Sequence, residues 1–260
     1  PLLYQVATGG LEPDSIAFPL RKIFTGQDNL IFRIAEVQRI DDEQNIAHTS
    51  IGEVDYDYLV LATGSATNFF GMDNVDAAAV GMKNIPEALD LRSLILQNFE
   101  EALLTTDMDL KDTLLHFVVV GGGPTGVETA GALAELKRHI LPNDYPELDL
   151  RQMEIHLIEA SPELLGGMSE ASSKHAKKAL EQLGGHVWLN SLVTSYDGES
   201  VHTKGGEVFE ANTLIWAAGI KGNVIDGLET ASIAGGNRLE VDPYNRVHGY
   251  DNVFAIGDLA

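Results

Sequence analysis

The sequence predicts an α/β fold: a parallel sheet flanked by helices and joined by an antiparallel meander. Three observations predict it. Val118, Val119 and Val120 form a β-branched run that ends in Gly121, Gly123 and Gly126 at G-x-G-x-x-G spacing, and a helical stretch begins at once. A second apolar strand over residues 152–159 ends on the acid Glu159. One plan, a meander followed by an apolar strand with a small-residue end, occurs twice along the chain.

Taken in order, residues 1–10 are apolar and stop at Gly9 and Gly10, and residues 11–16 carry a turn and a helix-cap signal. Residues 18–24 connect to a strand-like stretch over 29–40 that alternates from Phe32 onward. A hairpin turn at 41–45 leads into strands over 46–51 and 52–56, which completes a small meander. Residues 56–65 read as a buried strand ending in Ala62, Thr63 and Gly64. Small residues there let a ligand lie against the backbone, although a plain strand and turn reads the same way. Residues 85–105 have a helical pattern, with Leu89, Leu94, Leu96, Phe99 and Leu103 as its apolar positions. The polar stretch 107–112 marks a first domain boundary.

At the glycine loop each position has its own physical requirement. Gly121 permits the tight turn, Gly123 removes the Cβ that would block a pyrophosphate, and Gly126 brings the helix close. Pro124 suits the first helical turn, where its missing N–H costs nothing. The remaining N–H groups and the positive dipole end then face a bound phosphate. Glu159 follows Gly126 at a longer spacing than the roughly 20 residues usual for such an acid. The polar stretch 138–151, with Pro142, Asn143 and Pro146, accounts for the excess as a lengthened connection. Dinucleotide binding is the favoured reading; the alternative is a glycine turn in an ordinary α/β domain.

Beyond Glu159, residues 169–183 form an amphipathic helix stopped by Gly184 and Gly185, and residues 186–190 a third parallel strand. A second meander over 193–208 turns at Asp197-Gly198 and Gly205-Gly206. Residues 211–220 repeat the earlier device, an apolar strand ending in Ala217, Ala218 and Gly219. The last strand, over 250–258, sets Asp258 just beyond Gly257. An aspartate there accepts hydrogen bonds from sugar-alcohol hydroxyls or simply closes a surface turn.

The 260 residues give room for one large or two ordinary domains, and 44% hydrophobic content suits a globular core. A formal charge of −22 argues against nucleic acid and anionic membrane surfaces as partners. No apolar run reaches the ~18 residues of a membrane-spanning helix. With no cysteine, the chain has no disulfide, thiolate metal site or redox dithiol of its own. Its eight histidines are scattered without a metal-ligand spacing, and no metal site is expected.

With Ala62-Thr63-Gly64, Gly121 through Glu128, Trp216 through Gly219 and Phe254 through Asp258 in this order, the chain resembles the flavoproteins with two dinucleotide-binding domains. Within them it is most similar to the type II NADH dehydrogenases, which are NADH:quinone oxidoreductases. The wording of residues 1–8, 58–64 and 216–220 carries that likeness. The resemblance implies a Rossmann-like NADH domain over residues 112–242 inserted in an FAD domain, of which 1–111 and 243–260 would be pieces. It further implies that Gly121, Gly123, Pro124, Thr125 and Gly126 cradle the NADH pyrophosphate, with Ala218 and Gly219 beside it. Glu159 would bind the adenosine ribose, and Glu128 would point toward the nicotinamide–flavin contact unless it merely complements the helix dipole. Ala62, Thr63, Gly64, Gly257 and Asp258 would line FAD, and Tyr4, Gln5 and Thr8 would lie near the flavin ring and the quinone entrance.

Two departures from the family pattern lead to the expectation that the sequence is an internal fragment. No glycine loop precedes Pro1, and no quinone-site segment or anchoring tail follows Ala260. The parent would then sit peripherally on the cytoplasmic side of the inner membrane, with a homodimer as its expected assembly, while the fragment stays in solution, binds NADH and lacks FAD. NADH should be preferred over NADPH, because Ala160, Ser161 and Pro162 follow Glu159 where an arginine would take a 2′-phosphate. A ferredoxin-type reductase and a non-catalytic NAD-binding redox sensor are the competing readings.

Overall fold

A computed structural model describes residues 2–229 and 232–260; Pro1, in the apolar opening stretch, lies outside the described residues. In chain order the elements are α1 (Leu3–Ala7), α2 (Leu20–Ile23), β1 (Val37–Asp41), β2 (Ile46–Thr49), β3 (Gly52–Asp55), β4 (Leu59–Leu61), β5 (Ser65–Thr67), α3 (Asp73–Ala78) and β6 (Val80–Gly81). There follow α4 (Ile85–Leu104), α5 (Met108–Leu115), β7 (His116–Val120), α6 (Pro124–Glu135), a π-helical turn (Leu136–Ile140), α7 (Leu141–Asp144), β8 (Glu154–Ile158), α8 (Glu170–Leu183) and β9 (His186–Trp188). The chain closes with β10 (Val193–Tyr196), β11 (Ser200–Thr203), β12 (Val208–Glu210), β13 (Thr213–Trp216), β14 (Ile220–Gly222), β15 (Ile233–Ala234), β16 (Arg238–Leu239) and β17 (Val253–Ala255). Two compact units result: Pro1–Ala17 with Thr67–Gly219, and Phe18–Ala66 with Ile220–Ala260. Their limits differ from those read in the sequence, because the segment from β6 through α5 joins the same core as β7.

In the first unit, strand alternation divides one apolar run between two cores. Phe117 and Val119 of β7 point into a core with Ile155 and Leu157 of β8, Ile215 of β13, and the buried faces of α4, α6 and α8. Val118 and Val120 point the other way, toward Tyr196, Val201 and Phe209 of the β10–β12 meander. That is why residues 116–120 read as continuously apolar. The sheet order is β6-β13-β7-β8-β9, with every neighbouring pair parallel. The chain order reverses around β7, so the crevice beyond its carboxyl end is where a ligand is expected in an open α/β sheet.

Several helix signals act as read. Ser169 caps α8, accepting from Ser172 N–H, and Gly184 ends it in the left-handed region at φ 94°. Pro124 stands at the first position of α6. The expected long connection after α6 is a π-helical turn and the short α7.

Four expectations need correction. The stretch 29–36 is not a strand; pairing begins at Val37, and Ile31 and Ile34 are exposed. Residues 107–112, read as a domain boundary, lie inside the first unit, where Asp107 caps α5 and Leu114 and Leu115 pack into the core. Helix α4 buries Ala88, Leu91, Ile95, Phe99 and Ala102, whereas Leu89 and Leu96 are 37% and 44% exposed. Two alanines on the true face carry too little bulk to stand out in the sequence. Finally, β4 is buried on one face only, since Tyr58 and Val60 are exposed at 72% and 57%.

The second unit repeats the meander. β1, β2 and β3 form a three-stranded antiparallel sheet, as do β10, β11 and β12 in the first unit. Each first strand carries one register shift, between Val37 and Arg39 and between Val193 and Ser195. After each meander comes a strand in parallel pairing, β4 with β17 and β13 with β7. The second unit's core gathers Ile40, Leu61, Leu239, Val253 and Leu259.

Three of the histidines gather on the meander side of the first unit's sheet. The His156 ring stacks on His186 at 5.1 Å and meets His116 edge-on at 6.4 Å. Trp188 Nε1–H donates to His156 Nδ1 at 3.2 Å, and the opposite nitrogen lies 2.9 Å from Glu154 Oε2. That pattern fixes a neutral imidazole with its proton on Nε2. Burial holds its pKa below the usual value, with Glu154 opposing. Among the described residues no group of three or more His, Asp or Glu is arranged to hold a metal ion.

The meander is tied to the strand that follows it by one buried phenol. Tyr196 is fully buried, and its hydroxyl lies 3.0 Å from Gly198 O and 3.1 Å from Ala211 O, the acceptors between which its hydrogen is shared. Burial first, then Asp197 and Glu199, push its pKa up to about 12 from the ordinary 10.0. The folded chain therefore keeps this proton through a range in which the unfolded chain releases it. Stability from the group is complete below pH 10 and is lost as pH rises toward 12. Tyr196→Phe should be less stable by roughly 1–2 kcal/mol at pH 8. It should also lose less additional stability than the parent across the alkaline window. Urea unfolding at a series of pH values reads both, and parallel pH profiles would count against burial of the phenol as the cause.

Candidate functional site: the glycine loop after β7

The loop between β7 and α6 is built by backbone approaching backbone. Gly121 has φ 114°, and a Cβ there would lie 2.6 Å from the carbonyl carbon and oxygen of Ala217. A Cβ on Gly126 would lie 1.8 Å from Gly121 O, so the glycine lets the helix close on the turn itself as well as on β8. Gly122, the unspecified position of the motif, is constrained too: its Cβ would meet Leu164 Cδ2 at 2.7 Å and Glu159 Cγ at 2.9 Å.

Gly123 differs from these three. It is the N-cap of α6 with φ −71°, a conformation open to any residue, and no described atom lies within 4 Å of its Cβ position. The fold does not require glycine there. The requirement comes from what occupies the open side, next to first-turn N–H groups that have no side-chain cap. Thr125 and Pro124 are exposed on this turn, and Thr129, one turn on, donates from Oγ1 to Thr125 O at 2.7 Å.

Glu159 stands just past β8, half-buried, with both carboxylate oxygens engaged. Gly122 N–H donates to Oε2 at 2.5 Å, and Ser161 N–H donates to Oε1 at 2.7 Å. The Ser161 hydroxyl also donates to Oε1. The acid is thus fixed to the glycine loop; Oε1 accepts twice and Oε2 once, which leaves Oε2 with acceptor capacity for a further donor. A cavity of about 430 Å³ opens beside it, lined by Gly121, Glu159, Ala218, Leu192, Thr194 and Phe70 among others. Its size and mostly apolar walls suit part of a cofactor. Open space at Gly123, a bare helix start and an oriented acid at the sheet's switch point together fit a dinucleotide.

The other expected residues fall in both units. In the first, Ala218 and Gly219 follow β13, whose ladder continues through Ala217 N–H donating to Val120 O at 2.8 Å. Glu128 is exposed on α6. Tyr4 and Gln5 lie on the five-residue α1, and Thr8 closes it by donating from Oγ1 to Tyr4 O at 2.9 Å. These three line a groove with Glu135 at the end of α6 and His139 of the π-helical turn that follows.

In the second unit β4 and β17 run parallel and both end in left-handed glycines, Gly64 at φ 66° and Gly257 at φ 73°. Neither would meet a described atom within 4 Å of a Cβ. Ala62 and Thr63 are exposed, and the Thr63 hydroxyl donates to Asn223 O at 2.6 Å. Ser65 links the two ends, its hydroxyl donating to Asp258 Oδ2 at 2.8 Å. Backbone turns with open flanks and an adjacent carboxylate fit a sugar-bearing ligand lying along them.

Sequence reasoning missed Gly122, Ser161, Phe70, Leu192 and Thr194. Gly122, the middle one of three consecutive glycines, and Ser161, two residues past the acid, are local to the motif; Phe70, Leu192 and Thr194 reach the cavity through folding of distant segments.

The whole chain, residues 1–260, matches the family described as pyridine nucleotide-disulphide oxidoreductase. It is 35% identical to the type II NADH:quinone oxidoreductase Ndh of Mycobacterium tuberculosis, with all of the chain and 59% of that protein aligned. It is 34% identical to the mitochondrial external alternative NAD(P)H-ubiquinone oxidoreductase B2 of Arabidopsis thaliana, covering all of the chain and 48% of that protein. The chain therefore spans about half to three-fifths of the length of these curated relatives. Among solved structures, NDH2 of Plasmodium falciparum in complex with NADH superposes with a TM-score of 0.91 at 27% identity, over all of the chain and 56% of that protein. A ferredoxin reductase of Rhodopseudomonas palustris, with a TM-score of 0.75 at 19% identity over all of the chain and 58% of its own, shares the fold. Glycine loop, oriented acid and a match along the full sequence agree: the chain belongs to the pyridine nucleotide-disulphide oxidoreductase family.

Proposed function

We propose that the chain carries the NADH site and part of the FAD site of a type II NADH:quinone oxidoreductase. The carrying observation is the glycine loop whose one sterically free position, Gly123, faces open space while Glu159 is tied to the same loop through Gly122. The names of the relatives and the NADH-bound structural neighbour support the cofactor and the acceptor.

In this reading the first-turn amides of α6 receive the pyrophosphate, with Pro124 and Thr125 on the exposed turn and Ala218 and Gly219 flanking it. Glu159 accepts from an adenosine ribose hydroxyl. Glu128 projects from the same helix toward the nicotinamide end. Ala62, Thr63, Gly64, Gly257 and Asp258 hold FAD, which when bound supplies the hydride acceptor and the electron path to quinone. Tyr4, Gln5 and Thr8 border the flavin ring and the quinone entrance. The protein's task is to orient two rings and exclude competing acceptors, which requires no side-chain nucleophile. The whole protein acts as a peripheral enzyme on the cytoplasmic face of the inner membrane and as a homodimer. No helix among the described residues is long and apolar enough to cross a membrane.

Equilibrium titration should give NADH a Kd at least about tenfold below that of NADPH, because a fixed carboxylate accepts from a ribose hydroxyl and repels a phosphate. Glu159→Gln should narrow that ratio. Equal affinities in the parent chain would remove Glu159 from the ribose.

Gly123→Val tests the loop without testing the fold. No described atom lies within 4 Å of the Cβ position, so the unfolding free energy should hold to within about 1 kcal/mol while NADH affinity falls by more than tenfold. A folded variant that binds NADH normally would move the pyrophosphate elsewhere.

A further inference from the structure

Phe70 is the least expected residue of the cavity. It is a bulky aromatic with φ 53°, in the left-handed region that side chains of its kind avoid, and it remains 62% exposed. Neither property is explained by burial. Three hydrogen bonds impose the conformation. Asn68 N–H donates to Gly219 O at 3.0 Å, Trp216 Nε1–H donates to Asn68 O at 2.9 Å, and Asn68 Oδ1 accepts from Phe70 N–H at 2.9 Å. Asn68 is thereby pinned to the end of β13 from both sides, and its side chain turns the next residues back.

The turn delivers the ring to one location. A Cβ on Gly219 would lie 2.7 Å from Phe70 Cζ and 3.1 Å from Cε2, so the ring rests directly on the small-residue end of β13. Phe70 also lines the cavity that contains Glu159, Gly121 and Ala218. An aromatic ring held in an unfavourable backbone conformation, packed along one edge and open on the side of a cavity, is stabilised by little in the protein alone. A planar, π-bearing ligand in the cavity would supply the missing contact.

We infer that Phe70 is an affinity-determining wall of the nucleotide site that packs against the adenosine half of the bound dinucleotide. The adenosine half is assigned because the ring shares its cavity with Glu159. This rests on the dinucleotide reading above and adds a residue that the glycine-loop motif does not contain. Phe70 positions the ligand and takes no part in bond making.

The test uses the full chain with two probes, NADH and ADP-ribose, by equilibrium titration, and thermal unfolding alongside. Phe70→Asn removes the ring while keeping a residue that accepts the left-handed region. Its unfolding midpoint should equal or exceed that of the parent chain, and its Kd should rise about tenfold for both probes, the loss expected for one aromatic–base contact. Phe70→Tyr should restore the affinity. Unchanged affinity for both probes in a folded Phe70→Asn chain would overturn the inference and leave the dinucleotide site intact. A lowered midpoint with unchanged affinity would also overturn it, assigning the ring to the fold. If the parent chain binds neither probe, the dinucleotide reading itself fails and this inference with it.

Discussion

Everything in the first unit depends on how closely α6 approaches the end of β7. The separation is set by a backbone oxygen, Gly121 O, which no relaxation of side chains can move out of the way. Once Gly126 allows that approach, β7 is held between β8 and β13, and its two faces feed two separate cores. The same approach leaves the start of α6 uncovered beside the carboxyl ends of three strands. The constraint that packs the sheet is thus also the one that opens the ligand crevice, and stability and binding meet in a few consecutive backbone units.

The acid at the end of β8 shows how a binding group is kept in place before any ligand arrives. Glu159 engages one oxygen with Gly122 and the other with Ser161, so its orientation is inherited from the loop and the turn around it. A carboxylate held by backbone donors loses little rotational freedom when a ribose binds, which favours affinity. The neutral His156, clamped between Trp188 and Glu154, is a second polar group fixed from two sides, on the meander face of the same sheet.

Much of this was legible in the sequence. The run at 116–120, the glycine loop, the caps of α8 and both meanders arise from local patterns that one stretch of chain determines by itself. The features that were not legible depend on partners from elsewhere. The buried face of α4 rests on Ala88 and Ala102, whose size signals nothing until a sheet is packed against them. Strand pairing stops short of residues 29–36 despite their alternation, because alternation describes a face and not whether anything covers it. The histidines of β7, β8 and β9 are far apart in sequence and adjacent only through parallel register. Phe70 and Thr194 reach the cavity for the same reason.

The two meanders share more than a count of strands. Each carries its irregularity after the first residue of its first strand, and each sets a histidine and a threonine opposite it, His48-Thr49 and His202-Thr203. An extra residue in a strand reverses the facing of everything beyond it, so such an offset is not gained or lost by gradual drift. Its recurrence at matching positions gives β1 and β10 the same facing: the fourth residue of each strand, Ile40 in one and Tyr196 in the other, is the fully buried one. The offset therefore decides which side chain each meander sends into its own core.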